Sequence, residues 1–217
     1  QEKERRWIGL DLCYNLDDDF SLGVTLDLNN LLLKNSRLLL GLQGGNKKNV
    51  NLDYVKNFGR IWGGYYRIFP NFVEQTIFAY DNEHKKSKSF KSRKWGMTTG
   101  VGIFAGKIAC LEGFLFYYKT EFSRGISEFY EDYDFKSAGV GLKLYHETLD
   151  DYVFPMKGKS FYTRFTKTTE SKISDVDYSR LNIRILSAIP ANRHISFLYE
   201  GNYGNHFNTR SFYIEPF

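Results

Sequence analysis

Phe20-Ser21-Leu22-Gly23-Val24-Thr25-Leu26-Asp27-Leu28-Asn29 is the stretch that decides the fold. Leu22, Val24, Leu26 and Leu28 share one face, and Gly23, Thr25, Asp27 and Asn29 share the other. Repetition at period two is the signature of a β-strand with one apolar side. The same stripe returns in Ile8, Leu10, Leu12 and Tyr14 against Gly9 and Asp11. It returns again in Ala138, Val140, Leu142 and Leu144 against Gly139, Gly141, Lys143 and Tyr145. Leu181, Ile183 and Ile185 alternate with Arg180, Asn182 and Arg184. Helical periodicity appears nowhere at comparable length.

The polar side of these strands mixes Gly, Asn, Asp, Arg and Tyr. A soluble sandwich carries mostly Lys, Glu and Thr there, whereas a crowded, water-filled lumen suits small residues and charges that find partners. The expected fold is therefore all-β, an antiparallel transmembrane β-barrel. Composition agrees: 19 Phe, 16 Tyr and 3 Trp stand against 4 Pro in 217 residues, a bias toward strand formers. Mean hydropathy is −0.44, and no run nears the roughly 20 apolar residues of a membrane helix. A barrel needs only every second residue to be apolar.

Ala105-Gly106 and Pro190-Ala191-Asn192 read as short reversals, and 82–94, 121–134 and 168–177 as longer polar connections. Short turns on one rim and long loops on the other are a barrel trait. About eleven strands result if 61–82 is one long strand, and about twelve if Pro70-Asn71 breaks it into a hairpin. The single strand keeps the long loops on one rim. Trp7, Trp62, Tyr65, Tyr66, Trp95, Tyr117, Tyr118, Tyr145, Tyr162 and Tyr203 fall near strand ends, where amphipathic rings favour the headgroup level. No repeat or composition break marks a second domain, so 1–217 reads as one barrel domain.

Nothing in the sequence carries catalysis. Gly125-Ile126-Ser127-Glu128-Phe129 lacks the second glycine of a nucleophile elbow. His84, His146, His194 and His206 lack metal-ligand spacing, the acidic clusters fit turns, and no cofactor or metal is expected. Cys13 and Cys110 match no zinc or CxxC pattern; one disulfide and two separate thiols both fit. The net charge of +5 fits a solvated surface or contact with phosphates. Lys85, Lys86, Lys88, Lys91, Arg93 and Lys94 crowd one connection before Trp95. On an outer rim that loop would meet lipopolysaccharide phosphates; a merely solvated loop is the plainer reading.

Thr148-Leu149-Asp150-Asp151-Tyr152-Val153-Phe154-Pro155-Met156-Lys157-Gly158 resembles a turn of the bacterial surface-antigen barrel superfamily, an Asp-rich turn followed by F-P-x-x-G and a strand. Phe154, Pro155 and Gly158 match that pattern. Asp27-Leu28-Asn29-Asn30-Leu31-Leu32 with Asn35-Ser36-Arg37-Leu38 is similar to the first inner turn of these barrels. Leu52-Asp53-Tyr54-Val55-Lys56 is similar to a strand of the branch linked to patatin-like outer-membrane phospholipases, to whose C-terminal barrel the chain is most similar. The superfamily also holds the central barrel-assembly subunit and two-partner secretion transporters.

The resemblance implies a sixteen-strand barrel in the outer membrane of a Gram-negative bacterium, with the Phe154 turn on the periplasmic rim. It implies a noncatalytic wall that anchors, or gives passage to, an attached patatin-like hydrolase or periplasmic adaptor domains. The family's V-R-G-F/Y motif is absent, and alternation fails at Ser211-Phe212-Tyr213-Ile214-Glu215-Pro216-Phe217. The expectation is therefore a piece lacking its last strands and any upstream soluble domain. Arg164, Arg180, Arg184 and Glu200 are the expected lumen charges. Expected partners are outer-membrane lipids, lipopolysaccharide and the barrel-assembly machinery, with a second chain or copy completing the wall; nucleic acid is not among them. The alternatives are a soluble lipocalin-like binder with an apolar interior and an assembly substrate caught partway.

Overall fold

The computed structural model describes residues 6–15, 19–31, 33–59, 61–80, 86–106, 108–124, 133–151, 155–192 and 195–207. Eleven strands follow in chain order: β1 (Arg6–Asn15), β2 (Asp19–Asn29), β3 (Ser36–Gly45), β4 (Lys48–Gly59), β5 (Trp62–Tyr80), β6 (Lys86–Ala105), β7 (Ala109–Arg124), β8 (Tyr133–Glu147), β9 (Gly158–Thr168), β10 (Ser179–Pro190) and β11 (Ser196–Phe207). They form one antiparallel sheet in sequence order, β1 through β11, each strand bonded to its neighbours in the chain. No helix occurs among the described residues.

The strand count and the undivided β5 match the expectation. Pro70 lies inside β5 without ending it. The connections differ from it. Strand enters two of the segments expected as long loops, since β6 already begins at Lys86, β7 runs to Arg124 and β8 starts at Tyr133, whereas 169–178 is a connection between β9 and β10 as expected. The hairpin strands of 19 and 20 residues are longer than the roughly 9–11 residues that cross a bilayer. Alternating Lys, Ser and Phe in 86–91 can extend a ladder as readily as form a loop; polarity alone does not distinguish the two.

The chain divides into two compact units, one of Gln1–Lys56, Arg67–Thr99 and Phe116–Ser137, the other of Asn57–Tyr66, Gly100–Leu115 and Ala138–Phe217. In the first, register aligns Leu10, Val24, Leu42 and Val50 in one row across β1–β4. The next row on the opposite face is Asp11, Gly23, Gln43 and Asn49. In the second unit, Leu142, Phe165 and Leu181 align across β8–β10, next to a row of Lys143, Arg164, Asn182 and Gly204.

Burial inverts the soluble pattern. Leu10 is 79% exposed and Val101 68%, while Glu112 is 2% exposed and Thr168 fully covered. Ser137 and Ser174 are also fully covered. A soluble protein rarely displays so large an apolar surface, and the leucines of a lipocalin-type interior would be hidden. The apolar face needs an apolar cover.

Candidate functional site: the two faces of the wall

Alternation delivers charged side chains of neighbouring strands to the polar face, where they pair across the ladder. Arg37 on β3 reaches Asp27 on β2 through Nε at 3.0 Å and Nη2 at 2.7 Å. Arg67 on β5 holds both oxygens of Asp53 on β4, each at 2.7 Å. Such two-pronged contacts fix orientation as well as charge. In the second unit, the buried Glu112 carboxylate accepts from the Tyr65 hydroxyl at 2.7 Å and from Lys143 Nζ at 3.3 Å. A carboxylate so far from water is tolerable only with partners of this kind.

The four charges expected in a lumen lie on this same face. Arg164 places its guanidinium 4.9 Å from the centre of the Phe114 ring. Arg184 Nε meets Glu200 at 2.9 Å, and Arg180 Nε donates to the Asn182 side chain at 3.2 Å. Gly141 leaves the space that the Phe114 ring occupies: a Cβ there would fall 2.7 Å from ring carbon Cε2. The sequence reading missed Tyr65, Glu112, Lys143, Asp27, Asp53 and Arg67 as a paired set. A carboxylate on the polar stripe of β7 was the available signal; its partners come from strands whose register no spacing announces.

The aromatic residues expected at headgroup level divide between the faces. Trp62, Tyr66, Trp95, Tyr117 and Tyr203 share the apolar side with Ile68, Met97, Leu115 and Ile183. Trp95 and Tyr117 meet edge to face at 6.4 Å. Trp7, Tyr65, Tyr118, Tyr145 and Tyr162 are on the polar side: Trp7 lies over Gly9, Tyr118 bonds Thr98 at 2.7 Å, and Tyr145 pairs with Tyr162. A ring near a strand end thus follows the parity of its position, which the sequence reading did not apply to these residues.

The basic run divides likewise, and it is strand rather than loop. Lys85 and the side chains of Lys86 and Lys88 lie outside the described residues. Lys91 and Arg93 share the apolar face with Trp95 and bind Glu74 of β5 at 3.1 and 2.7 Å, joined there by Lys48 of β4 at 3.0 Å. Lys94 points to the other face, with Nζ 4.7 Å from the centre of the Tyr118 ring. The run is therefore not one patch.

In the family-like turn, Phe154 lies outside the described residues. Pro155 is buried, and its carbonyl accepts from the Ser196 hydroxyl at 2.9 Å. Asp150 accepts from the amides of Met156 at 3.0 Å and Lys157 at 3.1 Å, which hold its carboxyl below the ordinary range, Lys157 most strongly. Gly158 adopts φ 108°, a left-handed conformation that L side chains avoid. The connection 169–178 is tied down as well: Ser174 bonds the Ala138 amide at 3.3 Å and the Val176 carbonyl at 3.0 Å. Cys110 is a free thiol, and the Gly125–Phe129 stretch lies outside the described residues. Among the described residues no three His, Cys, Asp or Glu side chains gather as a metal site.

The crystal structure of BamA from Haemophilus ducreyi lacking POTRA domains 1–3 superposes on 96% of this chain with a TM-score of 0.71. The fold is that of the BamA barrel. With sequence identity at 18% the likeness is one of fold, and the chain spans 42% of the length of that neighbour. No family model matches the sequence, and no curated protein does. The sheet described above thus has the fold of part of a transmembrane β-barrel, with one face apolar and the other carrying the paired charges.

Proposed function

We propose that this chain is a noncatalytic wall of an outer-membrane β-barrel that anchors, or gives passage to, an attached soluble domain. The observation that carries the reading is the inverted burial, with Leu10, Val101 and Leu142 exposed while Glu112, Ser137 and Thr168 are covered. Only lipid on one side and water or polar partners on the other stabilise that distribution. The outer membrane of a Gram-negative bacterium is the compartment that hosts such sheets, and the assembly machinery of that membrane would insert this one. The attached domain, in the family resemblance, is a patatin-like hydrolase or a set of periplasmic adaptors. The substrate chemistry then belongs to that domain.

Fractionation tests the proposal. The full-length protein should sediment with outer membranes, resist an alkaline carbonate wash, require detergent for release and migrate faster unheated than boiled. A folded, monomeric protein in detergent-free buffer would refute it.

A further inference from the structure

On three adjacent strands the lipid-facing apolar band ends in charge. Along β4, Tyr54, Leu52 and Val50 are followed on the same face by Lys48, and at the opposite end of that row Lys56 precedes Phe58 and reaches the Lys34 carbonyl. Along β5, Tyr66, Ile68, Pro70 and Phe72 are followed by Glu74. Along β6, Ile103, Val101, Thr99, Met97 and Trp95 are followed by Arg93 and Lys91. From Ile103 to Trp95 the strand rises roughly 27 Å, or about 20 Å along the membrane normal at a tilt near 40°. That nearly exhausts the apolar height of such a barrel, about 25 Å. The four charged residues therefore stand where hydrocarbon gives way to headgroups, beside the Trp95–Tyr117 ring pair.

Glu74 organises the group. Its side chain is 11% exposed; one oxygen takes Lys48 and Lys91, and the other takes Arg93 Nε. The cations stay open, with side chains 58%, 40% and 47% exposed. Three cations against one carboxylate leave a surplus of two positive charges, and Arg93 has unused Nη donors among the described residues. The carboxylate holds three flexible cations in one place beforehand, which lowers the entropy lost on binding an anion. Lys94, on the other face, takes no part.

We infer that Lys48, Lys91 and Arg93, held by Glu74 on the lipid face of β4–β6, bind a phosphate of lipid A from lipopolysaccharide. A phosphomonoester dianion matches the charge surplus and the several donors, and the apolar band below accepts its acyl chains. The inference rests on the outer-membrane reading, with the end of β4–β6 that carries Lys48, Glu74 and Lys91 on the outer side. A phospholipid phosphate offers the same chemistry from the inner leaflet, so the test separates the two.

The full-length protein in detergent, with EDTA present to remove bridging cations, is titrated with bis-phosphorylated lipid A. The triple variant Lys48→Gln/Lys91→Gln/Arg93→Gln should bind about tenfold or more weakly, given the strength of charge-assisted bonds. Dephosphorylated lipid A should not distinguish variant from parent, and phosphatidylglycerol should compete poorly. Unchanged affinity in a heat-modifiable variant overturns the site, and equal competition by phosphatidylglycerol overturns lipid A as the ligand. Should the triple variant fail to fold, Arg93→Gln alone is read by the same criterion. A parent that needs no detergent refutes the barrel itself, an outcome visible before any titration.

Discussion

Replacing Leu142 by Arg distinguishes a lipid-facing wall from an ordinary protein surface. Leu142 sits mid-strand in β8 between Val140 and Leu144, opposite Phe165 of β9, and is 56% exposed. On a soluble protein such a surface substitution changes stability within about 0.5 kcal/mol. At the midplane of a bilayer an arginine on the lipid face costs about 2–4 kcal/mol, a shift of roughly thirty- to eight-hundred-fold in the folding equilibrium. Ile189, the penultimate residue of β10, shares that face but lies at the rim, where the same change costs about 0–1 kcal/mol. Leu142→Ala supplies the packing control, because losing the cross-strand contact with Phe165 accounts for about 0.2–1 kcal/mol. Denaturant titrations of the protein in lipid vesicles measure all three. Leu142→Arg matching Leu142→Ala within error, or Ile189→Arg costing as much as Leu142→Arg, would refute the reasoning.

Glu112→Ala should destabilise the barrel by about 1–3 kcal/mol, because Tyr65 and Lys143 lose their acceptor; Glu112→Gln, which keeps an acceptor, should cost less in the same vesicle titrations. Gly158→Ala should cost about 1–3 kcal/mol, since its φ of 108° strains any side chain and a Cβ would run into the Thr148 carbonyl oxygen; a lowered denaturant midpoint checks it. Asp150 has a folded pKa below its unfolded value, so its contribution is full above the ordinary carboxylate range and is lost as pH falls through the lowered folded value. Asp150→Asn should flatten the stability profile in that acid window, and an unchanged slope would show that the turn amides do not select the charged form.

Periodicity made the strands legible because each residue carries its own evidence: Leu22, Val24, Leu26 and Leu28 need no knowledge of their neighbours to declare a face. The family-like turn was legible for a related reason, since Asp150 and Gly158 act within one short loop. What the sequence did not disclose is pairing between strands. Nothing near Glu112 announces Tyr65 or Lys143, which lie 47 and 31 residues away. The basic run misled because a loop and an extended hairpin use similar residues, and because parity splits it: Arg93 and Lys94 are adjacent in the chain yet sit on opposite faces of β6. Reading parity through the run, instead of counting cations, would have separated Lys91 and Arg93 from Lys94.

The charges on the polar face bear on register as well as solvation. Asp27 with Arg37, Asp53 with Arg67, Glu112 with Lys143 and Arg184 with Glu200 each join two neighbouring strands. The leucine rows tolerate a slip of two residues, because apolar contacts are directionless and Leu10, Leu12, Leu22 and Val24 fill similar space. A slip of one residue would turn these acids and bases onto the apolar face, at several kcal/mol in all if lipid covers it. A slip of two would keep them on the polar face but separate each from its partner, leaving Glu112 buried without a counter-charge. The apolar stripe therefore selects the face, and the cross-strand ion pairs select the alignment within it.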